Sequence, residues 1–171
     1  TKVINDSDNF QNILSAFDIG PGNCLIDEWV RKNSNKKFDQ NGEMAKLGKF
    51  DQLILNQAID NFKFNSYSES LDVKNFDVSF VRGLSLEDGC ATLTNFTAYL
   101  IAEGLKYISQ EDSITFLVCG GGRKNNNLIN CIKNYLSNKN KVNLDIIDNY
   151  NINGDYIESQ AFGYLAIRSF L

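Results

Sequence analysis

Apolar residues recur along this chain with two spacings. A helical spacing runs over residues 23–32, where Leu25, Ile26, Trp29 and Val30 fall on one face. It resumes from Glu43 to Asn61 and returns over 86–108, with an interruption expected near Gly89. It reappears over 126–136, carried by Leu128, Ile129, Ile132 and Leu136. The last such stretch, 155–170, is expected to turn Ile157, Ala161, Phe162, Leu165 and Ala166 inward. Short apolar runs at 1–4, 12–17 and 142–145 read as strands, and 113–119 reads as a buried strand. Polar residues 33–42 end in the turn signal Asn41-Gly42, and residues 62–79 read as a loop with a short helix. Strands alternating with helices predict an α/β fold with a mixed or parallel sheet. There is no fixed-period repeat and no linker that clearly splits the chain.

Two of the expected strand ends run into glycine turns. Ile13-Leu14-Ser15-Ala16-Phe17 ends in Asp18, and Gly20, Pro21, Gly22 and Asn23 follow before the first helix. Glycine lets backbone N–H groups approach a phosphate, and a helix N-terminus favours negative charge. Asp18 then suits a base or a holder of metal-bound water; an ordinary βα turn with a surface Asp fits the same pattern. Phe116-Leu117-Val118-Cys119 runs into Gly120-Gly121-Gly122-Arg123. This is neither a Walker loop nor the dinucleotide Gly-x-Gly-x-x-Gly pattern. Three glycines exceed what a tight turn needs and favour close approach of a ligand. Arg123 suits stacking on a base or pairing with phosphate, and equally a solvated helix start.

Composition narrows the chemistry. The chain has 171 residues and a net charge of −4. Without a basic run, nucleic acid is not expected as a partner. No apolar stretch approaches the roughly 20 residues that span a bilayer, so no membrane is expected either. Histidine is absent. Acid–base work therefore falls to Asp or Glu, and any metal is a hard cation held by oxygen, with no residue assigned as its ligand. Cys24, Cys90, Cys119 and Cys131 are scattered, which suggests core-like thiols in a reduced, cytoplasmic protein.

Asp155 and Glu158 have the spacing of a capping box at the start of the last helix. Glu87 and Asp88 suit the N-terminus of the long helix, and Thr92, Thr94 and Thr97 read as back-bonded or packed hydroxyls.

Six segments fall in order along the chain. The first two are Phe17-Asp18-Ile19-Gly20-Pro21-Gly22-Asn23-Cys24-Leu25-Ile26-Asp27 and Phe38-Asp39-Gln40-Asn41-Gly42-Glu43-Met44-Ala45. Glu87-Asp88-Gly89-Cys90-Ala91-Thr92-Leu93-Thr94 and Val118-Cys119-Gly120-Gly121-Gly122-Arg123-Lys124-Asn125 follow. Gly154-Asp155-Tyr156-Ile157-Glu158-Ser159-Gln160-Ala161-Phe162 and Leu165-Ala166-Ile167-Arg168 are the last. Taken together, these segments resemble the anhydro-N-acetylmuramic acid kinase family. One stretch departs: where the family usually has Pro-Pro-Lys-Ser-Thr-Gly-Arg before a Phe, residues 65–76 lack proline and glycine and gain acid.

The resemblance implies an actin/hexokinase-like (ribonuclease H-like) ATPase lobe, a mixed sheet with flanking helices. It implies that residues 1–171 are the C-terminal lobe of a two-lobed sugar kinase. The N-terminal lobe, with its Gly-Thr-Ser-x-Asp-Gly loop, would be a missing partner; the abrupt start at Thr1 agrees with this. It implies ATP and Mg2+, and a reaction that phosphorylates 1,6-anhydro-N-acetylmuramic acid while water opens the anhydro ring. The product is N-acetylmuramic acid 6-phosphate, in peptidoglycan recycling. By motif, Asp18 would activate the water as general base. Gly20, Gly22, Asn23 and Glu158 would lie at the sugar substrate, and Gly120, Gly121, Gly122 and Arg123 at the nucleotide. A homodimer is compatible with this reading. The departing loop motivates an alternative, a non-catalytic nucleotide-binding or regulatory fragment derived from such a kinase.

Overall fold

In a computed structural model the chain is an α/β protein built around one long helix. Residues 2–4, 13–15, 18–62, 76–108, 114–137 and 142–170 are described here. Strands β1 (Lys2–Ile4) and β2 (Ile13–Ser15) pair antiparallel, with Val3 opposite Leu14. Helices α1 (Cys24–Asn33), α2 (Glu43–Leu47), α3 (Gln52–Asn61) and α4 (Leu86–Ile108) follow. Strand β3 (Ile114–Val118), helix α5 (Asn126–Leu136) and strand β4 (Val142–Ile146) form a parallel βαβ unit in which Phe116 lies opposite Leu144. Helix α6 (Ile157–Arg168) ends the described chain. The expected loop over 62–79 falls mostly outside the described residues. Its described end is a 3-10 turn, Ser79–Val81.

Helix α4 is the spine because both of its sides are apolar. One side packs Leu93, Phe96 and Leu100 against Leu25, Ile26, Trp29 and Val30 of α1, with Met44 of α2 and Leu55 of α3. The other side packs Ala98, Ala102 and Leu105 against Leu128, Ile129, Ile132 and Leu136 of α5 and Leu144 of β4. Each fully buried Leu or Ile in these clusters contributes about 1.5–3 kcal/mol.

Four expectations change. The helical pattern over 43–61 breaks at Gly48. A Cβ there would lie 2.1 Å from the Glu87 carbonyl oxygen, so α2 stops where its backbone meets the start of α4. Asp51 then starts α3 by accepting the Leu53 and Ile54 N–H groups, both at 2.9 Å. Helix α4 is continuous through Gly89. The Trp29 indole covers that glycine and its Nε1 donates to the Leu86 carbonyl at 3.1 Å. Strand β3 is not buried throughout, since its residues alternate and Leu117 is 43% exposed. Helix α6 buries none of its residues, so the inward face expected for it is absent.

The side chains at the start of α4 behave as capping physics requires. Ser85 accepts the Asp88 N–H at 3.1 Å, and Asp88 accepts the Lys49 N–H at 2.7 Å, which holds its carboxyl below the usual range. Thr92 donates back to the Asp88 carbonyl, whereas Thr94 and Thr97 are buried with no hydrogen-bond partner among the described residues. The cysteine expectation holds for Cys90, which is buried, but Cys24 and Cys119 are exposed.

Candidate active site

The Asp18 turn is seated on the far end of α4 by a glycine. A Cβ on Gly104 would lie 2.3 Å from the Ile19 side chain, so only glycine leaves the groove that Ile19 fills. Gly20 sits over Leu100, 3.4 Å from where its own Cβ would point. Asp18, next to Ile19, is exposed. Gly22 has φ +57, a conformation that favours glycine. The turn closes when the Cys24 N–H donates to the Pro21 carbonyl at 3.1 Å. Asn23 caps α1 without using its side chain locally; its Oδ1 instead accepts from Asn125 Nδ2 at 3.3 Å.

Asn125 ties three elements together. It is buried, and its Oδ1 caps α5 by accepting the Leu128 N–H at 3.0 Å. Gly42 presses on the same oxygen: at φ +74, a Cβ there would lie 2.2 Å from Asn125 Oδ1. The Asn41-Gly42 turn places both residues in the left-handed region, as its sequence suggests. Asp39 anchors that turn by accepting the Met44 and Ala45 N–H groups at 2.8 and 3.0 Å.

The triple glycine follows β3. Gly120 has φ +73, which accounts for that glycine alone. Gly121 and Gly122 have negative φ, and no atom lies within 4 Å of where their Cβ atoms would be. Neither backbone strain nor packing requires them, and the space before them is open. They face a cavity of about 970 Å³ whose wall also includes Gly22, Asn23 and Asp27 of the first turn. Phe116, Leu128 and Ile132 are among its apolar lining. The two glycine turns, about a hundred residues apart in sequence, therefore share one cavity.

The remaining site residues lie off that wall. Arg123 is 6% exposed rather than solvated, and its guanidinium donates to Asp148, Asp155 and the Gly120 carbonyl. Those donors are not turned to a base or a phosphate. The Arg123 bonds lower the Asp148 carboxyl, and Arg123 together with Lys124 holds the Asp155 carboxyl well below the usual carboxylate range. The capping box expected of Asp155 does not form, because Tyr156 precedes α6 and the Asp155 carboxylate goes to Arg123 and Lys124. Glu158 is exposed in the first turn of α6.

Two residues escaped the sequence reading. Asp27 lines the cavity one helical turn after Asn23, and burial pushes its carboxyl above the ordinary value. Its i,i+4 relation to Asn23 was the available signal. Asp148 carried none, since its partner lies 25 residues away. Among the described residues, no three His, Cys, Asp or Glu side chains come together as a metal cage.

Comparison with known proteins identifies the lineage of this arrangement. The sequence model of anhydro-N-acetylmuramic acid kinases matches residues 10–170, a span that includes both glycine turns and all of α6. The chain belongs to the anhydro-N-acetylmuramic acid kinase family. A Pelagibacter ubique protein of that name is 53% identical over 163 residues, which is 92% of this chain and 43% of the relative. Relatives from Rhizorhabdus wittichii and Zymomonas mobilis, both called anhydro-N-acetylmuramic acid kinase, are 37% and 34% identical. Each match covers over nine-tenths of this chain but only 42% of the relative. The chain thus spans less than half the length of the curated relatives it matches.

Proposed function

We propose that this chain forms one wall of an ATP-dependent kinase site for 1,6-anhydro-N-acetylmuramic acid, within an actin/hexokinase-like lobe. The observation that carries the reading is the pair of glycine turns on one cavity, with open space before Gly121 and Gly122. Their backbone would take the adenosine and phosphates, with Gly20, Gly22 and Asn23 toward the sugar and Glu158 approaching from α6. Asp18 accepts a proton from water as its oxygen bonds to the anomeric carbon. The bridging carbon–oxygen bond breaks, and the freed oxygen takes the terminal phosphoryl group of ATP as its bond to the β-phosphate breaks and ADP leaves. Mg2+ bound with the nucleotide would supply neutralisation of phosphate charge, and no residue of this chain is assigned to hold it. The product is N-acetylmuramic acid 6-phosphate, which belongs to peptidoglycan recycling in the cytoplasm.

The remainder of a family protein would supply the other wall. The test mixes this chain with the N-terminal part of the Pelagibacter relative and follows phosphorylation of the anhydro sugar. Turnover by the mixture, lost in Asp18→Asn with nucleotide binding retained, supports the reading; full turnover by that variant rejects the base assignment. A second reading, a nucleotide-binding fragment without catalysis, rests on the altered loop 65–76. It predicts calorimetric heat with ATP and Mg2+ but none with the sugar, in the mixture as in the chain alone.

A further inference from the structure

Arg123 is the buried centre of a charge-balanced cluster that this chemistry leaves unused. Its Nε and Nη2 fork onto the two Asp148 oxygens at 2.6 and 3.1 Å. Its Nη1 donates to Asp155 at 2.7 Å and to the Gly120 carbonyl at 2.9 Å. Lys124 takes the other Asp155 oxygen at 2.8 Å. The far side of the guanidinium is covered by Gly154, where a Cβ would lie 2.5 Å from Nε. The Gly154 carbonyl closes the ring by accepting the Gly120 N–H at 2.9 Å. The first glycine of the triple turn is therefore held at both its N–H and its C=O. Gly121 and Gly122 hang from that fixed point into open space.

We propose that Arg123 is a positioning residue that locks the Gly120-Gly121-Gly122 backbone in its ligand-receiving shape and couples it, through Asp155 and Gly154, to the start of α6. It acts through the backbone and does not touch the nucleotide. The nucleotide half of this proposal rests on the reading of the cavity given above. Arginine is required because one planar fork reaches three acceptors at once. A lysine ammonium is a single point on a flexible stem and cannot span Asp148, Asp155 and the Gly120 carbonyl together. Glu158 follows Asp155 by three residues, so the clamp ties the nucleotide side of the site to the proposed sugar side.

The test uses the 171-residue chain as wild type, Arg123→Lys and Asp155→Asn. Amide exchange at Gly120 is followed by NMR, and binding of ATP with Mg2+ by calorimetry. The expected result is a loss of Gly120 protection of tenfold or more and a similar rise in Kd in both variants, with the amides of α4 unchanged. Arg123→Lys in the Asp155→Asn background should add little. Unchanged Gly120 protection in Arg123→Lys overturns the clamp. Weaker binding with full protection also overturns it, because Arg123 would then contact nucleotide directly. Should the 171-residue chain bind no nucleotide by itself, calorimetry in the mixture with the N-terminal part of the Pelagibacter relative decides the kinase reading, which fails if no binding is seen there, while Gly120 exchange still decides the clamp. Should Arg123→Lys not fold, Asp155→Asn, whose side chain is 45% exposed, carries the same two readouts.

Discussion

The side-chain amide of Asn125 donates to the side-chain oxygen of Asn23 at 3.3 Å, across 102 positions of sequence. This one bond joins the turns that follow the two strand ends, and Asn125 also caps α5. The roles are separable. Asn125→Ala removes both and should cost about 1–2 kcal/mol in urea unfolding. Asn125→Asp keeps the acceptor for the Leu128 N–H but loses the donor to Asn23. It should keep most of the stability and weaken binding of ATP with Mg2+ severalfold. Wild-type affinity in Asn125→Asp would mean that the tie between the turns does not shape the cavity.

Gly89 offers a test in which two known magnitudes oppose each other. In an open helix, Ala in place of Gly gains about 1 kcal/mol. Here the added methyl would sit 2.3 Å from Trp29 Nε1, and overpacking costs about 1–3 kcal/mol. The indole would also be pushed off its bond to the Leu86 carbonyl. Gly89→Ala should therefore destabilise, with a shift in emission from Trp29, the single tryptophan. A rise in melting temperature would show that the indole has room to move.

Asp27 sets a pH dependence of definite sign. Burial lifts its folded carboxyl above the unfolded value of 3.8; Arg31 pulls it down and Asp39 pushes it further up. Between those two values the folded chain binds more protons than the unfolded one, so Asp27 lowers stability as pH rises through the window. The cost then persists at neutral pH. Asp27→Asn should melt higher than wild type at pH 7 and at the same temperature near pH 3. An equal shift at both pH values would show that the effect is not ionisation.

Much of this was legible in the sequence because local physics decided it. Helix α5 occupies the span its apolar face marks, and the Asn41-Gly42 turn adopts left-handed backbone as that dipeptide favours. The α/β class and the family follow from the same segments. What the sequence hid depends on distant contacts. The break at Gly48 exists because a carbonyl of α4 arrives there, and Gly89 is tolerated in mid-helix because an indole from α1 covers it. Asp155 leaves its expected capping role for an arginine 32 residues away, which divides its donors between Asp148, Asp155 and the Gly120 carbonyl. Helix α6 carries apolar residues in its sequence but buries none of them against the described residues, so the inward face expected of it is absent.

The cysteines give the cavity its own chemical reporters. Cys24 directly follows Asn23 and Cys119 directly precedes Gly120, and both are exposed. Cys90 lies in the core, where burial pushes its thiol up to about 12 and keeps it protonated and unreactive, and burial also raises the thiol of the half-buried Cys131 and slows its labelling. A thiol-reactive dye or spin label would thus mark the rims of the two glycine turns and leave the core silent. The distance between the two labels would then read the opening of the cavity directly, with no substitution at any residue of the proposed site.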